Sequence, residues 1–387
     1  MANEVRTIGV VTVARSDYGI NLPLLRKIEH EPSLALCLIV AGTHLAKEFG
    51  LTVRDIEADG FKIAERLEMA YDSDSPEGIA RSMGIAVTKY AECFARSRPD
   101  ILVLLGDRFE MHAAGLAALP FKIPVAHIHG GELTEGAIDD ALRHSLTKLS
   151  HLHFVAAEDY ARRVRQLGEE CWRIKVTGAP GLDNLHSTKL LAADELEKKF
   201  DLKLPVAPLL VSFHPVTLEF EQAAWQAQEL LAALDMFDLP VVFTSPNADT
   251  GNRVIKQLLR SYVNARDDAF LVDNLGTQAY FSLMKIAAAM VGNSSSGIIE
   301  APAFKLPVVN IGTRQLGRLK AANVIDVGYE RLEIAQGIRE AITSDFRDGL
   351  RGLINPYGDG SAAESIVQSL KTVAINDTLL KKHFQDL

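Results

Sequence analysis

Pro99–Arg108 reads PDILVLLGDR: a turn pair, five apolar residues in succession, then glycine, aspartate and arginine. A continuous apolar run of this length fits a strand covered on both faces, as in a parallel sheet. Similar runs lie on either side: Thr7–Ala14 (TIGVVTVA), Ala35–Ala41 (ALCLIVA), Pro124–Ile128 (PVAHI), His153–Ala156 (HFVA) and Arg173–Val176 (RIKV). Helix-length segments separate them, at Leu22–His30, Gly78–Ser97, Arg108–Leu119, Ala137–Leu149 and Glu158–Leu167. Polar clusters follow the strands directly: Arg15-Ser16-Asp17, Gly42-Thr43-His44, Gly106-Asp107-Arg108 and His129-Gly130-Gly131-Glu132. Open α/β sheets bind ligands beyond the carboxyl ends of their strands, so the placement of these clusters matters more than any one residue in them.

The second half repeats the alternation without repeating the sequence. Leu209–Phe213, Val241–Thr244, Ala269–Val272, Ala289–Val291 and Val308–Ile311 read as buried strands. Leu218–Leu234, Arg253–Asn264, Gln278–Ala288, Gly297–Phe304, Glu333–Thr343 and Gly360–Val373 read as helices, with one more short strand expected within Lys320–Val327. The expected organisation is a first Rossmann-like domain over 1–180, a connection over 181–205 and a second such domain over 206–358. A terminal helical segment over 359–387 is expected to pack back on the first domain.

Composition narrows the function classes. The 387 residues are 48% apolar and 24% charged, which predicts a substantial core. Lys+Arg is 41 against Asp+Glu 50, a formal charge of −9. That excludes a protein-wide surface for nucleic acid or anionic membrane but leaves room for a local basic pocket. The apolar runs are all interrupted before the roughly 18 residues of a membrane span. Cys37, Cys93 and Cys171 are few, odd in number and far apart, as in a reducing compartment, and a cytoplasmic location is expected.

The chemistry is sought in the loops. Ser294-Ser295-Ser296-Gly297 stands between a strand and a helix containing Glu300. Hydroxyls and free N–H groups at a helix start suit phosphate oxygens, and an ordinary N-cap is the plainer reading. Asn293 and Arg314 strengthen the anion reading, since an arginine fork can neutralise a diphosphate. Neither GxxxxGK[ST] nor a GxGxxG after the first strand is present. Asp107 can be a helix N-cap or an acid facing a ligand. Glu132, Asp139, Asp140, Arg143 and His144 can form a solvated salt-bridged face, Asp139 and Arg143 being an i,i+4 pair. Alternatively, Asp107, Glu132 and Asp139 surround one substrate. Five histidines, 127, 129, 144, 151 and 153, crowd one segment without the spacing of a zinc site, so no metal is expected. His214, in SFHP, can donate to a phosphate or be a turn residue held by Pro215.

Several ordered motifs together carry a resemblance over nearly the whole chain. They are VARSDYG (Val13–Gly19), GTHL (Gly42–Leu45), LLGDRFE (Leu104–Glu110), HIHGGE (His127–Glu132) and IDDALRHSLTKLSHLHF (Ile138–Phe154). They continue as VTGAPGLDNL (Val176–Leu185), SFHPVTLE (Ser212–Glu219), SPNADTG (Ser245–Gly251), GNSSSGIIEAP (Gly292–Pro302), NIGTRQLGR (Asn310–Arg318) and NPYGDG (Asn355–Gly360). The chain resembles the hydrolysing UDP-N-acetylglucosamine 2-epimerases of sialic acid biosynthesis. The resemblance implies a GT-B fold, two Rossmann-like α/β/α domains whose parallel sheets face each other across a cleft. It implies a catalytic set of Asp107, Glu132, Asp139, Arg143 and His214. The implied substrate and UDP contacts are Arg15, His44, Asn247, Asn293, Ser294, Ser295, Ser296, Gly297, Glu300 and Arg314. Non-hydrolysing relatives carry glutamate where this chain has His129, and Glu132 follows the double glycine, as in the hydrolysing branch.

The activity so implied converts UDP-N-acetylglucosamine to N-acetylmannosamine and UDP through 2-acetamidoglucal, with no cofactor, in a homo-oligomer. A second reading replaces the sugar by UDP-2,4-diacetamido-2,4,6-trideoxyglucose. A glycosyltransferase and a non-catalytic nucleotide-sugar-binding protein are the readings from other classes.

Overall fold

The computed structural model describes residues 5–47, 50–69, 75–134, 137–216, 218–246 and 251–386. The chain forms two units. The first takes in the chain up to Glu132, Asp139–His186 and the segment from Tyr357 onward, and the second takes in Leu133–Ile138 and Ser187–Pro356. The segment 181–205, expected as a connection, is therefore divided. Its later part packs into the second unit, where Leu196 is fully buried and the Leu191 N–H donates to Ser282 Oγ at 2.8 Å.

In the first unit, β1 (Arg6–Thr12), β2 (Leu34–Ala41), β3 (Ile63–Leu67), β4 (Ile101–Leu105), β5 (Val125–Ile128), β6 (Leu152–Val155) and β7 (Ile174–Val176) form one parallel sheet. Their order is β3-β2-β1-β4-β5-β6-β7. The apolar runs occupy the middle: Ile8, Val10, Val11 and Ile101–Leu104 are wholly buried, each side chain worth about 1.5–3 kcal/mol out of water. β3 is absent from the sequence reading because IAERL carries two charges. It is an edge strand, and Glu65 accepts hydrogen bonds from Ser97 Oγ at 2.6 Å and Arg96 Nη2 at 2.9 Å. The helix Arg15–His30 starts seven residues before the expected Leu22, so Arg15-Ser16-Asp17 is a first turn rather than a loop. Gly19 and the internal Pro23 disguise that turn in the sequence.

In the second unit, β8 (Leu209–Ser212), β9 (Val241–Thr244), β10 (Ala269–Val272), β11 (Ala289–Gly292), β12 (Val308–Ile311) and β13 (Val324–Val327) make a second parallel sheet, ordered β10-β9-β8-β11-β12-β13. Helices on its faces bury Ala227, Leu230, Leu234, Ile255, Ile334 and Ile338 against the strands.

The chain then returns to the first unit. Ala363, Ile366, Val367 and Leu370 of the helix Ala362–Thr372 enter the first core. Asp183 accepts from the Ala362 and Ala363 N–H groups at 3.0 and 2.7 Å, capping that helix from far away in sequence. The buried Arg173 guanidinium donates to the carbonyls of Thr378 and Leu379, both at 2.8 Å. Among the described residues, no helix is long and apolar enough to cross a membrane.

Gly292 ends β11 at φ 137°, and a Cβ there would lie 2.1 Å from the Ser212 carbonyl oxygen. Gly84 lies on an exposed helix face with nothing within 4 Å of its Cβ position. Chemical denaturation should therefore find Gly292→Ala destabilised by about 3 kcal/mol or more, while Gly84→Ala gains about 0.5–1 kcal/mol.

Candidate functional site

In each sheet, two neighbouring strands send their connections to opposite sides, leaving a crevice at their carboxyl ends. In the first sheet that switch lies between β1 and β4, which pair in register from Ile8↔Ile101 to Val10↔Val103. The chain leaves β1 toward Arg15 and leaves β4 through Gly106, at φ 73°, into Asp107. Arg143, on the helix Asp139–Leu149, donates to Asp107 Oδ2, and its side chain is only 2% exposed. Arg143 thus reaches across to β4 rather than merely pairing along its own helix face.

β5, beside β4, ends at Ile128. His129 then takes a left-handed backbone, φ 64°, and so leaves the strand instead of continuing it in line with His127. The turn brings His129 Nδ1 to 2.5 Å from Glu132 Oε1, with both side chains buried. The double glycine is required by space. A Cβ on Gly130 would crowd His127 Nδ1 at 3.0 Å, and one on Gly131 would strike the Tyr160 carbonyl oxygen at 2.5 Å. His127 is a core residue, with Nε2 2.7 Å from the Gly106 carbonyl and Nδ1 3.2 Å from Thr147 Oγ1, and burial pushes its pKa down to about 3. Asp139 is half-buried at the start of its helix, where it faces the macrodipole's positive end. Asp140 pairs with His144 Nε2 at 3.5 Å.

In the second sheet the switch lies between β8 and β11, paired from Ala289↔Leu209 to Gly292↔Ser212. His214 follows β8 and Asn293 follows β11. The fully buried Asn293 amide binds the backbone of His214 twice: His214 N–H donates to Oδ1 at 2.7 Å, and Nδ2 donates to the His214 carbonyl at 2.9 Å. The Asn293 carbonyl accepts from Gln315 Nε2 at 2.8 Å and Arg314 Nη1 at 3.3 Å. Ser294–Ser296 come next, and Gly297 lets the turn approach β12, since its Cβ would lie 2.9 Å from Val308 Cγ1.

The structure adds detail to three expectations. His44, expected to touch substrate, is fully buried. Its ring nitrogens are held by Thr12 Oγ1 at 2.9 Å and Thr52 Oγ1 at 2.8 Å, while burial and the Arg108 charge press its pKa down to about 4. Asn293 staples the His214 turn. The helix expected over Gly297–Phe304 is one turn, Ser296–Ile299, followed by a 3-10 turn at Ala301–Phe304. The Gly297 and Ile298 N–H groups are spent on the Ser294 and Ser295 carbonyls, so the serine hydroxyls are the more available donors. Glu300 is buried just beyond that turn. Asn247 lies outside the described residues.

Sequence reasoning missed Tyr280 and Gln315. The Tyr280 hydroxyl lies beside those of Ser212, Ser294 and Ser296, and burial raises its pKa. Nothing separates this tyrosine by pattern from its apolar helix neighbours. Gln315 was readable only as the residue after Arg314. The clustered histidines do not converge. His151 Nδ1 accepts from the Val125 N–H at 3.1 Å, and His153 Nε2 lies 3.0 Å from Glu169. Among the described residues, no group of three or more His, Cys, Asp or Glu is placed to hold a metal ion.

Two Rossmann-like units, each with polar side chains gathered at the switch of its own parallel sheet, define a GT-B-type α/β protein. The chain belongs to the UDP-N-acetylglucosamine 2-epimerase family, whose model matches residues 26–371. It is 39% identical to the GDP/UDP-N,N′-diacetylbacillosamine 2-epimerase (hydrolyzing) of Campylobacter jejuni, over 99% of each chain. It is 34% identical to a UDP-N-acetylglucosamine 2-epimerase of Neisseria meningitidis serogroup B, over 86% of each. Its fold matches the crystal structure of UDP-GlcNAc 2-epimerase from Neisseria meningitidis bound to UDP-GlcNAc with a TM-score of 0.80, at 20% identity, over 94% of this chain and 99% of that one.

His44, His127 and His151 have folded pKa values of about 4, 3 and 4 against an ordinary 6.5. The unfolded chain therefore binds more protons as pH falls below 6.5, and the stability these rings contribute is lost between about pH 6.5 and 3. Thermal unfolding followed against pH should show that fall, and His127→Gln should flatten part of it.

Proposed function

We propose that this chain is a hydrolysing 2-epimerase acting on a nucleotide-linked 2,4-diacetamido-2,4,6-trideoxyglucose, the sugar also called N,N′-diacetylbacillosamine. The observation that carries the choice of sugar is the 39% identity, spread over 99% of both chains, to a relative named for that substrate. It displaces UDP-N-acetylglucosamine, the first expectation from sequence, to second place. That second reading is favoured by the Neisseria relative at 34% identity over 86% of the chain.

The chemistry is common to both sugars. The hydrogen on C2 is poorly acidic because no carbonyl adjoins it, so its removal must accompany rupture of the C1–O bond to the diphosphate. A carboxylate takes H2 as the nucleoside diphosphate leaves, producing a glycal with a C1=C2 double bond. Water then adds its hydroxyl to C1 while C2 is protonated from the opposite face, and the free manno sugar results. Asp107, oriented by Arg143, and Glu132, held against His129, divide the two proton transfers, and Asp139 orients or shares them. Arg15, Arg314, His214, Glu300 and the hydroxyls of Ser294–Ser296 bind the nucleotide and its diphosphate. Donors fixed before the reaction stabilise charge as it develops on the leaving group. Neither a hydride carrier nor an electron sink is required by this route.

The test is turnover in D2O followed by proton NMR, with UDP- and GDP-N,N′-diacetylbacillosamine and UDP-N-acetylglucosamine as separate substrates. Free 2,4-diacetamido-2,4,6-trideoxymannose deuterated at C2, with stoichiometric nucleoside diphosphate, is the expected product. Free N-acetylmannosamine formed at the higher kcat/KM would reverse the order of the two readings. A nucleotide-bound epimer as the lasting product would refute hydrolysis. Asp107→Asn and Glu132→Gln should each lower kcat by about 100- to 10,000-fold while calorimetry finds UDP affinity largely kept.

A further inference from the structure

Glu219 ends the SFHPVTLE stretch, and the epimerase chemistry has no direct use for it. It is half-buried in the second unit, and both of its carboxylate oxygens are occupied. Oε1 accepts from Thr313 Oγ1 at 2.6 Å, and Oε2 accepts from the Tyr329 hydroxyl at 2.7 Å and from Gln226 Nε2 at 2.8 Å. A carboxylate can accept all three because both its oxygens are acceptors. Gln226 is fully buried and gives its amide N–H to Glu219, although its own oxygen then has no partner.

These partners lie beyond different strands. Glu219 follows β8, Thr313 follows β12 and Tyr329 follows β13, while β11 stands between β8 and β12 in the sheet. Thr313 is gripped twice, because its N–H donates at 3.1 Å to the same Tyr329 hydroxyl that donates to Glu219. The Tyr329 ring covers Gly312, which is left-handed at φ 70° and whose Cβ would lie 2.1 Å from the ring carbon Cζ. Arg314 and Gln315 come directly after this fixed point and donate to the Asn293 carbonyl, and Asn293 in turn staples His214. The SFHPVTLE stretch is thus tied twice to the turn that carries Arg314: at His214 through Asn293, and at Glu219 through Thr313 and Tyr329.

We infer that Glu219 is a positioning residue: it holds Thr313 and Tyr329 so that Arg314, the next residue after Thr313, is presented to the nucleotide. The inference rests on the reading of Arg314 as a nucleotide contact, but the hydrogen bonds that do the holding do not. Were Glu219 there for stability alone, its loss would lower Tm and leave the affinity of the folded chain for nucleotide as it was. A guanidinium that meets phosphate oxygens through a rigid fork tolerates little displacement, so a loosened Thr313 registers in affinity.

The experiment is calorimetric titration of the full chain with UDP and with GDP, at a temperature where every variant is folded, continued with the tighter binder. Glu219→Gln keeps the size of the side chain but turns an NH2 donor toward groups that themselves donate. It should raise Kd about tenfold, the order expected for one lost hydrogen bond. Arg314→Lys raises Kd by itself, and Glu219→Gln/Arg314→Lys should bind no more weakly than Arg314→Lys alone. An unchanged Kd in Glu219→Gln, or losses that multiply in the double variant, would overturn the inference. If Glu219→Gln does not fold, Tyr329→Phe goes through the same cycle with the same two ways to fail. It keeps the ring over Gly312 and removes the hydroxyl that joins Glu219 to the Thr313 N–H. If the unaltered chain binds neither nucleotide, or Arg314→Lys binds as tightly as the unaltered chain, the nucleotide reading fails by itself. The Tm shifts of Glu219→Gln, Thr313→Val and the pair then decide the hold, coupled shifts supporting it and additive shifts refuting it.

Discussion

A parallel sheet sends every strand out through the same edge, and its connections must cross back over one face or the other. Where two neighbouring strands choose opposite faces, no connection covers the gap between their ends, and the sheet acquires a crevice without any side chain having to create it. Both sheets of this chain obey that constraint, at β1/β4 and at β8/β11. The polar residues at the exits follow from it: Arg15 and Asp107 at one switch, His214 and the Asn293–Ser296 turn at the other. The remaining architecture supports those exits with apolar strands too well buried to move.

The strands were legible because burial on both faces leaves a simple mark, a run of branched and aliphatic residues with no alternation. Ile101–Leu105, Val241–Thr244, Ala269–Val272 and Val308–Ile311 have the same ends in sequence and structure. The mark fails at one sheet edge. β3, with Glu65 and Arg66 in its middle, looks like any charged connection until its partners Arg96 and Ser97 are in place. It also fails at the start of the Arg15–His30 helix, where glycine and proline suggest a loop although the carboxyl end of β1 turns straight into helix.

The surroundings of the candidate site residues were not legible. Residue type alone made His44 and Asn293 look like ligand contacts. What distinguishes them is which of their polar atoms are already occupied, and that depends on Thr12, Thr52 and the His214 backbone, residues brought together only by the fold. The same holds for the crowded histidines. His127 locks the Gly106 carbonyl, whereas His129, two residues later, is turned by a left-handed backbone onto Glu132. Periodicity cannot separate these two, because the separation is made by one backbone torsion angle.

The return of the chain to its first unit also orders events in time. Asp183 finds the N–H groups that it caps, and Arg173 the carbonyls that it binds, only in residues 362–379. During synthesis the whole of residues 187–356 emerges before those partners do. The second unit thus has every strand of its sheet available while the first still lacks part of its core, although its own strands were made earlier. Assembly on the ribosome therefore runs opposite to the reading direction. The unit translated first is completed last, once the helix Ala362–Thr372 has been delivered to its core.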